Sequence, residues 1–157
     1  MKAKALGAER RLDCAMMRVI DPPSPLPYVA LGRADTLVKG QPVFGISHPG
    51  TFGMTDRGAV VRFGRILKRL ARRSFVQSTC LMEPGDSGGP LFDMNGRLIG
   101  IHSQIDRDLD ENFDVPLRHF RDHWKRLLEP KRFSVSRLMI TGLGFDGVDW
   151  KLSLIHI

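Results

Sequence analysis

The chain has 157 residues and a net charge of +7, and it is long enough to bury the core of one domain. It holds no run near the roughly 20 apolar residues that a membrane helix needs, and its first residues lack the apolar core of a signal peptide. The basic residues are interrupted by apolar ones, which favours solvated faces over a nucleic-acid site.

From the start to Val115, the sequence predicts short strands separated by turns. Prolines at 22, 23 and 25 end the first strand, because proline cannot sit in a central strand. Asn95-Gly96 is a strong hairpin signal. Many short strands predict an all-β barrel or sandwich. The predicted strands are 12–20, 42–46, 58–67, 74–79 and 97–104.

After Val115 the apolar residues recur with the period of an amphipathic helix. The helix is predicted to begin at Pro116 and to end at Pro130. The apolar stripe consists of Phe120, Trp124, Leu127 and Leu128. Residues 129–151 are expected to be a linker or the start of a further domain. Residues 152–157 match one reading frame of a transposon end used in sequencing libraries, so we interpret them as adapter read-through.

The two cysteines, Cys14 and Cys80, form no cluster of metal ligands, and their pairing stays open. His119 and His123 lie four residues apart on the predicted helix, but no third ligand accompanies them. We therefore expect solvated helix residues there, and neither a metal ion nor a cofactor.

The most informative segment surrounds Ser87, which is set among glycines. A serine hydroxyl becomes a nucleophile when a base takes its proton and donors receive the oxyanion. Glycines permit a tight turn that can aim the N–H groups of Gly85 and Ser87 at that charge. Pro90 argues against the helix that follows the serine in an α/β-hydrolase. The tract reads Gly85-Asp86-Ser87-Gly88-Gly89-Pro90-Leu91.

This tract resembles the nucleophile loop of trypsin-like serine proteases. Segments 31–40, 45–50 and 113–116 resemble stretches of the bacterial HtrA/Deg-type branch, although Asp86 stands where that branch usually has asparagine. The resemblance implies a double β-barrel peptidase domain over residues 1–128, with an incomplete first barrel and a C-terminal amphipathic helix. It also implies an oxyanion hole at residues 85–87.

Asp13 lies among apolar residues, where an unpaired buried carboxylate would be costly. A histidine N–H could satisfy it, and the alternative is an edge-strand acid that faces water. The segment resembles the strand that carries the catalytic aspartate of the family. By resemblance, Asp13 orients the catalytic histidine.

The resemblance implies that the catalytic histidine stands well before the aspartate in the chain, and none of the twelve residues before Asp13 is a histidine. We expect the parent protein to cleave peptide bonds through an acyl-enzyme on Ser87, and this fragment to be nearly inert. His102 is expected to flank the substrate pocket and not to replace the base.

The resemblance assigns the remaining substrate contacts to two segments. Leu81, Met82 and Glu83 help to line the main specificity pocket, with core packing as the alternative for Leu81 and Met82. Ser103, Gln104 and Ile105 pair with the extended backbone of a polypeptide substrate.

The sequence also contains an acidic stretch and a basic stretch. The acidic residues from Asp106 to Asp114 are expected to form a solvated loop and not a calcium site. The basic stretch 62–73 is expected to form strands and an exposed turn, not a helix that binds nucleic acid.

A non-catalytic protein-binding module and a polyanion-binding domain are the alternatives to an endopeptidase. By resemblance the protein is periplasmic or otherwise extracytoplasmic.

Overall fold

The computed structural model describes residues 2–50, 58–69, 75–105 and 112–129. Its main unit is a closed six-stranded antiparallel barrel with the strand order β3-β4-β5-β8-β7-β6. A separate two-stranded antiparallel sheet, β1-β2, precedes the barrel. The strands are β1 (Lys2–Glu9), β2 (Cys14–Ile20), β3 (Pro42–Ser47), β4 (Val60–Arg69), β5 (Val76–Ser78), β6 (Pro90–Asp93), β7 (Leu98–Ile105) and β8 (Asn112–Pro116).

The barrel closes around one apolar core. This core forms because side chains alternate between inward and outward positions along each strand. Aliphatic side chains from the strands meet Leu117 and Phe120 of the following helix there. Val43, Leu91 and Leu98 have no solvent exposure. This all-β barrel confirms the predicted fold class.

Two short helices follow the barrel, α1 (Leu117–Asp122) and α2 (Trp124–Leu128), where the sequence predicted one amphipathic helix. The break falls at His123, whose backbone (φ −109°, ψ 15°) leaves the helical region. The apolar stripe is still used, because Phe120 and Leu127 are both buried. None of the helices in the described ranges has the length and hydropathy of a membrane-spanning helix.

The β1-β2 sheet packs against α2 through a close backbone approach at Gly7. A Cβ at Gly7 would lie 2.6 Å from the carbonyl oxygen of Arg126, so only glycine fits without a shift. Nη1 of Arg126 also lies 2.7 Å from Oε2 of Glu9. These contacts bring the β1-β2 turn to one side of the barrel.

The hairpin predicted at Asn95-Gly96 is confirmed as the turn between β6 and β7. Oδ1 of Asp93 accepts hydrogen bonds from the N–H groups of Asn95 (2.9 Å) and Arg97 (3.0 Å). Gly96 has a φ of 72°, which L side chains disfavour. The strand β1 was not predicted, and the expectations for residues 130–157 lie outside the described residues.

Candidate active site

Ser87 lies in the loop between β5 and β6, and glycines with positive φ shape that loop. Gly85 has a φ of 98° and Gly88 a φ of 87°. A Cβ at Gly85 would approach the carbonyl oxygen of Gly50 to 2.6 Å. The loop therefore depends on glycine at 85 for space as well as for backbone conformation.

Two backbone hydrogen bonds fasten the end of this loop to β7. The N–H of Gly88 donates to the carbonyl of His102 at 2.8 Å, and the N–H of His102 donates to the carbonyl of Gly89 at 2.8 Å. The N–H groups of Gly85 and Ser87 donate to no described residue. They are available to an external acceptor, as an oxyanion hole requires.

Ser103 contacts both of the predicted catalytic residues. Its carbonyl accepts a hydrogen bond from the Ser87 hydroxyl at 3.2 Å. Its own hydroxyl donates to Oδ2 of Asp13 at 2.5 Å. Ser87 and Asp13 therefore lie near each other, and each hydrogen-bonds to Ser103.

A bulge in β7 explains why Ser103 faces this site. His102 pairs with Asp114, and Gln104 pairs with the adjacent Phe113, so Ser103 is the extra residue of the pairing. Such bulges change the direction of a side chain, and they are over-represented next to active sites.

Asp13 occupies a turn and not the interior of a strand, which corrects the prediction of a strand over residues 12–20. The strand β2 begins at Cys14, and Asp13 is exposed with a φ of 53°. Aspartate tolerates this left-handed conformation better than most residues. Its carboxylate is exposed and accepts the Ser103 hydroxyl, so it is not a buried charge that requires a histidine partner.

Ser87, Asp13 and Ser103 line one cavity of about 1020 Å³. Most of its remaining lining is apolar and comes from β2, from the segment 22–31 and from the two helices, with Met16, Leu26 and Trp124 as examples.

The imidazole of His102 is buried, with a residue exposure of 3%. Its Nδ1 lies 2.6 Å from Oδ1 of Asp114, and Oδ2 of Asp114 accepts a hydrogen bond from the Ser78 hydroxyl at 2.9 Å. The structure thus directs the His102 side chain into the barrel, and only its backbone takes part in the loop beside Ser87.

Asp114 was placed in an acidic solvated loop by sequence, and this was wrong. It lies in β8 with no solvent exposure, because β7 and β8 pair it directly with His102. The other acidic residues of that stretch, 106–111, lie outside the described residues. The apolar residues on either side of Asp114, Phe113 and Val115, were the local signal that it belongs to a strand.

Of the predicted substrate-contacting residues, Leu81 and Glu83 are exposed while Met82 is buried at 1%. The N–H of Met82 donates to Oδ1 of Asn112 at 3.3 Å, which ties this segment to β8. Gln104 and Ile105 are exposed at the end of β7. Burial of Met82 favours its core-packing alternative.

Arg62 is the main residue near the site whose role was not predicted from the sequence. Its Nη1 lies 2.5 Å from Oδ2 of Asp86, and its Nη2 forms an ion pair with Glu83. The sequence showed Arg62 only as the first member of a basic stretch. Its position opposite Gly45 follows from the antiparallel pairing of β3 with β4.

Both cysteines are free and buried, which settles the pairing left open by the sequence. Burial raises the pKa of the Cys14 thiol to about 11. Burial, with a smaller effect of the Asp114 charge, raises the pKa of the Cys80 thiol to about 11. Neither thiol is an activated nucleophile.

Comparisons with known proteins agree on the family. The model of the trypsin-like peptidase domain matches residues 1–101. A probable periplasmic serine endoprotease, DegP-like, of Pseudomonas putida (strain W619) is 39% identical over 106 residues, or 67% of this chain. The corresponding protein of Marinomonas sp. (strain MWYL1) is 38% identical over 104 residues. The chain spans 22% of the length of each of these two relatives.

Solved structures give the same result. The HtrA-type protease AlgW with decapeptide is 27% identical and superposes with a TM-score of 0.67, covering 80% of this chain and 40% of that one. AlgW with tripeptide is 28% identical with a TM-score of 0.67, covering 81% and 44%. The closed barrel, the glycine-rich serine loop and these matches agree, and the chain therefore belongs to the trypsin-like peptidase family, in its HtrA/Deg-type branch.

Proposed function

We propose that this chain is the nucleophile-bearing part of an extracytoplasmic serine endopeptidase that cleaves polypeptides through an acyl-enzyme on Ser87. One observation carries the proposal: Ser87 and Asp13 both hydrogen-bond to Ser103 at the same cavity. The names of the relatives, which are serine endoproteases described as periplasmic, support the class of reaction and the compartment.

In the proposed reaction, Ser87 Oγ attacks the scissile carbonyl and its proton passes to a histidine. That histidine would lie between Ser87 and Asp13, with Asp13 accepting its second N–H. The N–H groups of Gly85 and Ser87 receive the oxyanion, and the backbone N–H of Asp86 between them is held by the carbonyl of Glu83 at 3.0 Å.

The histidine is proposed to come from polypeptide outside these 157 residues. The hydrogen bonds that the Ser87 and Asp13 side chains make to described residues are both with Ser103. The Ser87 proton therefore rests on a backbone carbonyl, which is not a base near neutral pH. By itself the chain should be nearly inert.

The end of β7 is the proposed binding edge for substrate backbone. Strand β6 pairs with β7 only as far as Ile101, so Ser103, Gln104 and Ile105 have an edge that β6 does not cover. An extended peptide could add to this edge by β-augmentation. The exposed Leu81 is the proposed apolar contact for the side chain before the scissile bond, whereas the buried Met82 is not.

Labelling with a fluorophosphonate tests the proposal. The 157-residue chain and a chain extended upstream by its preceding codons would each be incubated with the probe, with Ser87→Ala as the control. We expect the extended chain to be labelled at Ser87, and this chain to react more slowly by at least about a thousandfold. Equal labelling of the two chains would refute the role of an external histidine.

A non-catalytic protein-binding module is the second candidate, favoured by the fact that neither Ser87 nor Asp13 hydrogen-bonds to a histidine in the described structure. The same experiment separates the two candidates. An extended chain that carries no upstream histidine, or that stays unlabelled while folded, would establish the binding module.

A further inference from the structure

Asp86 is a fully buried carboxylate directly before the proposed nucleophile. Its side chain has no solvent exposure, and its Oδ1 has no hydrogen-bond partner among the described residues. A buried carboxylate without compensation costs several kcal/mol. The fold must therefore supply a counter-charge, and the sequence of the loop itself contains none.

Arg62 supplies that charge from β4. Its Nη1 donates to Oδ2 of Asp86 at 2.5 Å, and its side chain is only 14% exposed. Its second terminal nitrogen, Nη2, is paired with the carboxylate of Glu83. One guanidinium thus holds both ends of the turn from Glu83 to Asp86, a geometry that suits the planar fork of arginine.

The turn held by Arg62 contains the proposed oxyanion donors. Oδ2 of Asp86 also accepts the N–H of Glu83 at 2.8 Å, and the N–H of Asp86 donates to the carbonyl of Glu83 at 3.0 Å. The carbonyl of Asp86 accepts the N–H of Gly89 at 2.9 Å. Gly85 and Ser87 adjoin Asp86 on either side, so rotation of Asp86 would redirect both of their N–H groups.

We propose that Arg62 is a positioning residue, which fixes Asp86 and Glu83 and thereby sets the direction of the Gly85 and Ser87 N–H groups. The catalytic meaning of this role rests on the proposed function, but the geometric role does not. The hydroxyl of Ser47, 3.4 Å from Nη1 of Arg62, is a weaker third contact of the same guanidinium.

The test uses the full chain and amide nitrogen–proton NMR correlation spectra, with the peaks of Gly85 and Ser87 as the readout. We expect Arg62→Met to shift these two peaks or broaden them beyond detection, and Arg62→Lys to recover them in part, since lysine keeps the charge without the fork. Arg65→Met is the matched control, because Arg65 lies on the same strand and its Nη1 contacts the carbonyl of Gly40 instead.

A second pair of variants covers the case in which Arg62→Met does not fold. Asp86→Asn removes the buried charge and Glu83→Gln removes the second carboxylate, so Arg62→Met in the Asp86→Asn/Glu83→Gln background should fold and should leave the Gly85 and Ser87 peaks close to those of Asp86→Asn/Glu83→Gln alone. The proposal is overturned if folded Arg62→Met has unchanged Gly85 and Ser87 peaks. It is also overturned if the Arg62→Met substitution displaces both peaks in the Asp86→Asn/Glu83→Gln background, where neither carboxylate remains to be held.

These spectra do not depend on acylation. A failure of fluorophosphonate labelling would count against the proposed function and leave the role of Arg62 standing. Unmoved amide peaks would remove the role of Arg62 and leave the nucleophile assignment of Ser87 standing.

Discussion

The hydroxyl of Ser103 donates a 2.5 Å hydrogen bond to Oδ2 of Asp13, a residue 90 positions earlier in the chain. This bond links the β1-β2 turn to the barrel at the point where β7 bulges. The carbonyl of the same residue accepts the Ser87 hydroxyl. The relative placement of the two predicted catalytic residues therefore depends on Ser103.

Ser103→Ala should lower the free energy of unfolding by about 1 kcal/mol, because it removes one partly exposed hydrogen bond. Urea denaturation measures this loss, and Gln104→Ala at the adjacent exposed position is the control. Asp13→Asn should show coupling with Ser103→Ala in a double-mutant cycle. Strictly additive effects would mean that the Ser103–Asp13 bond does not form in solution.

Gly85→Ala should destabilise the protein more than Gly88→Ala. Both positions have positive φ, so both substitutions carry a backbone cost of about 1 kcal/mol. Only at Gly85 would the new Cβ collide with a backbone atom, the carbonyl oxygen of Gly50, whereas nothing lies within 4 Å at Gly88. Thermal denaturation of the two variants provides the comparison, and equal melting temperatures would contradict the described loop.

His102→Leu should lower the free energy of unfolding by about 3 kcal/mol or more, since it leaves the Asp114 carboxylate buried with only the Ser78 hydroxyl as a side-chain partner. The double variant His102→Leu/Asp114→Asn should recover part of the loss, because no buried charge remains. Urea midpoints of the three proteins measure both effects. A double variant less stable than His102→Leu alone would argue against a compensated buried pair.

Both cysteine thiols should stay unreactive in the folded protein at pH 8. Burial raises the pKa of each to about 11, above the ordinary value of 9.0, so the neutral thiol is favoured up to that pH. Reaction with a disulfide reagent should be slow in buffer and should reveal two thiols in denaturant. Rapid reaction of either thiol without denaturant would show that it is exposed.

The barrel and the nucleophile loop were predictable because their signals are local. Short apolar strands, the Asn95-Gly96 turn and the glycines around Ser87 each follow from a few adjacent residues. Boundaries were less accurate, and the strand predicted over residues 12–20 begins at Cys14. The roles of the site residues remain predictions that the experiments above address.

The ion pairs behind the site could not be predicted, because they join residues far apart in sequence. Arg62 meets Asp86 because β3 pairs with both β4 and β6, and His102 meets Asp114 through the register of β7 against β8. Asp114 was grouped with its acidic sequence neighbours, although its pairing with His102 in β7 buries it completely. Non-local pairing decided these contacts, and local composition did not reveal them.

The extra residue in β7 could be removed without changing the pairing of the residues around it. Gln104 already pairs with Phe113 of β8, so deletion of the codon for Ser103 would restore a regular ladder and remove the residue that contacts both Ser87 and Asp13. The carboxylate of Asp13 would then lose its hydroxyl partner. A single-codon change at this point would thus remove contacts of the cleft without altering any of the proposed catalytic residues.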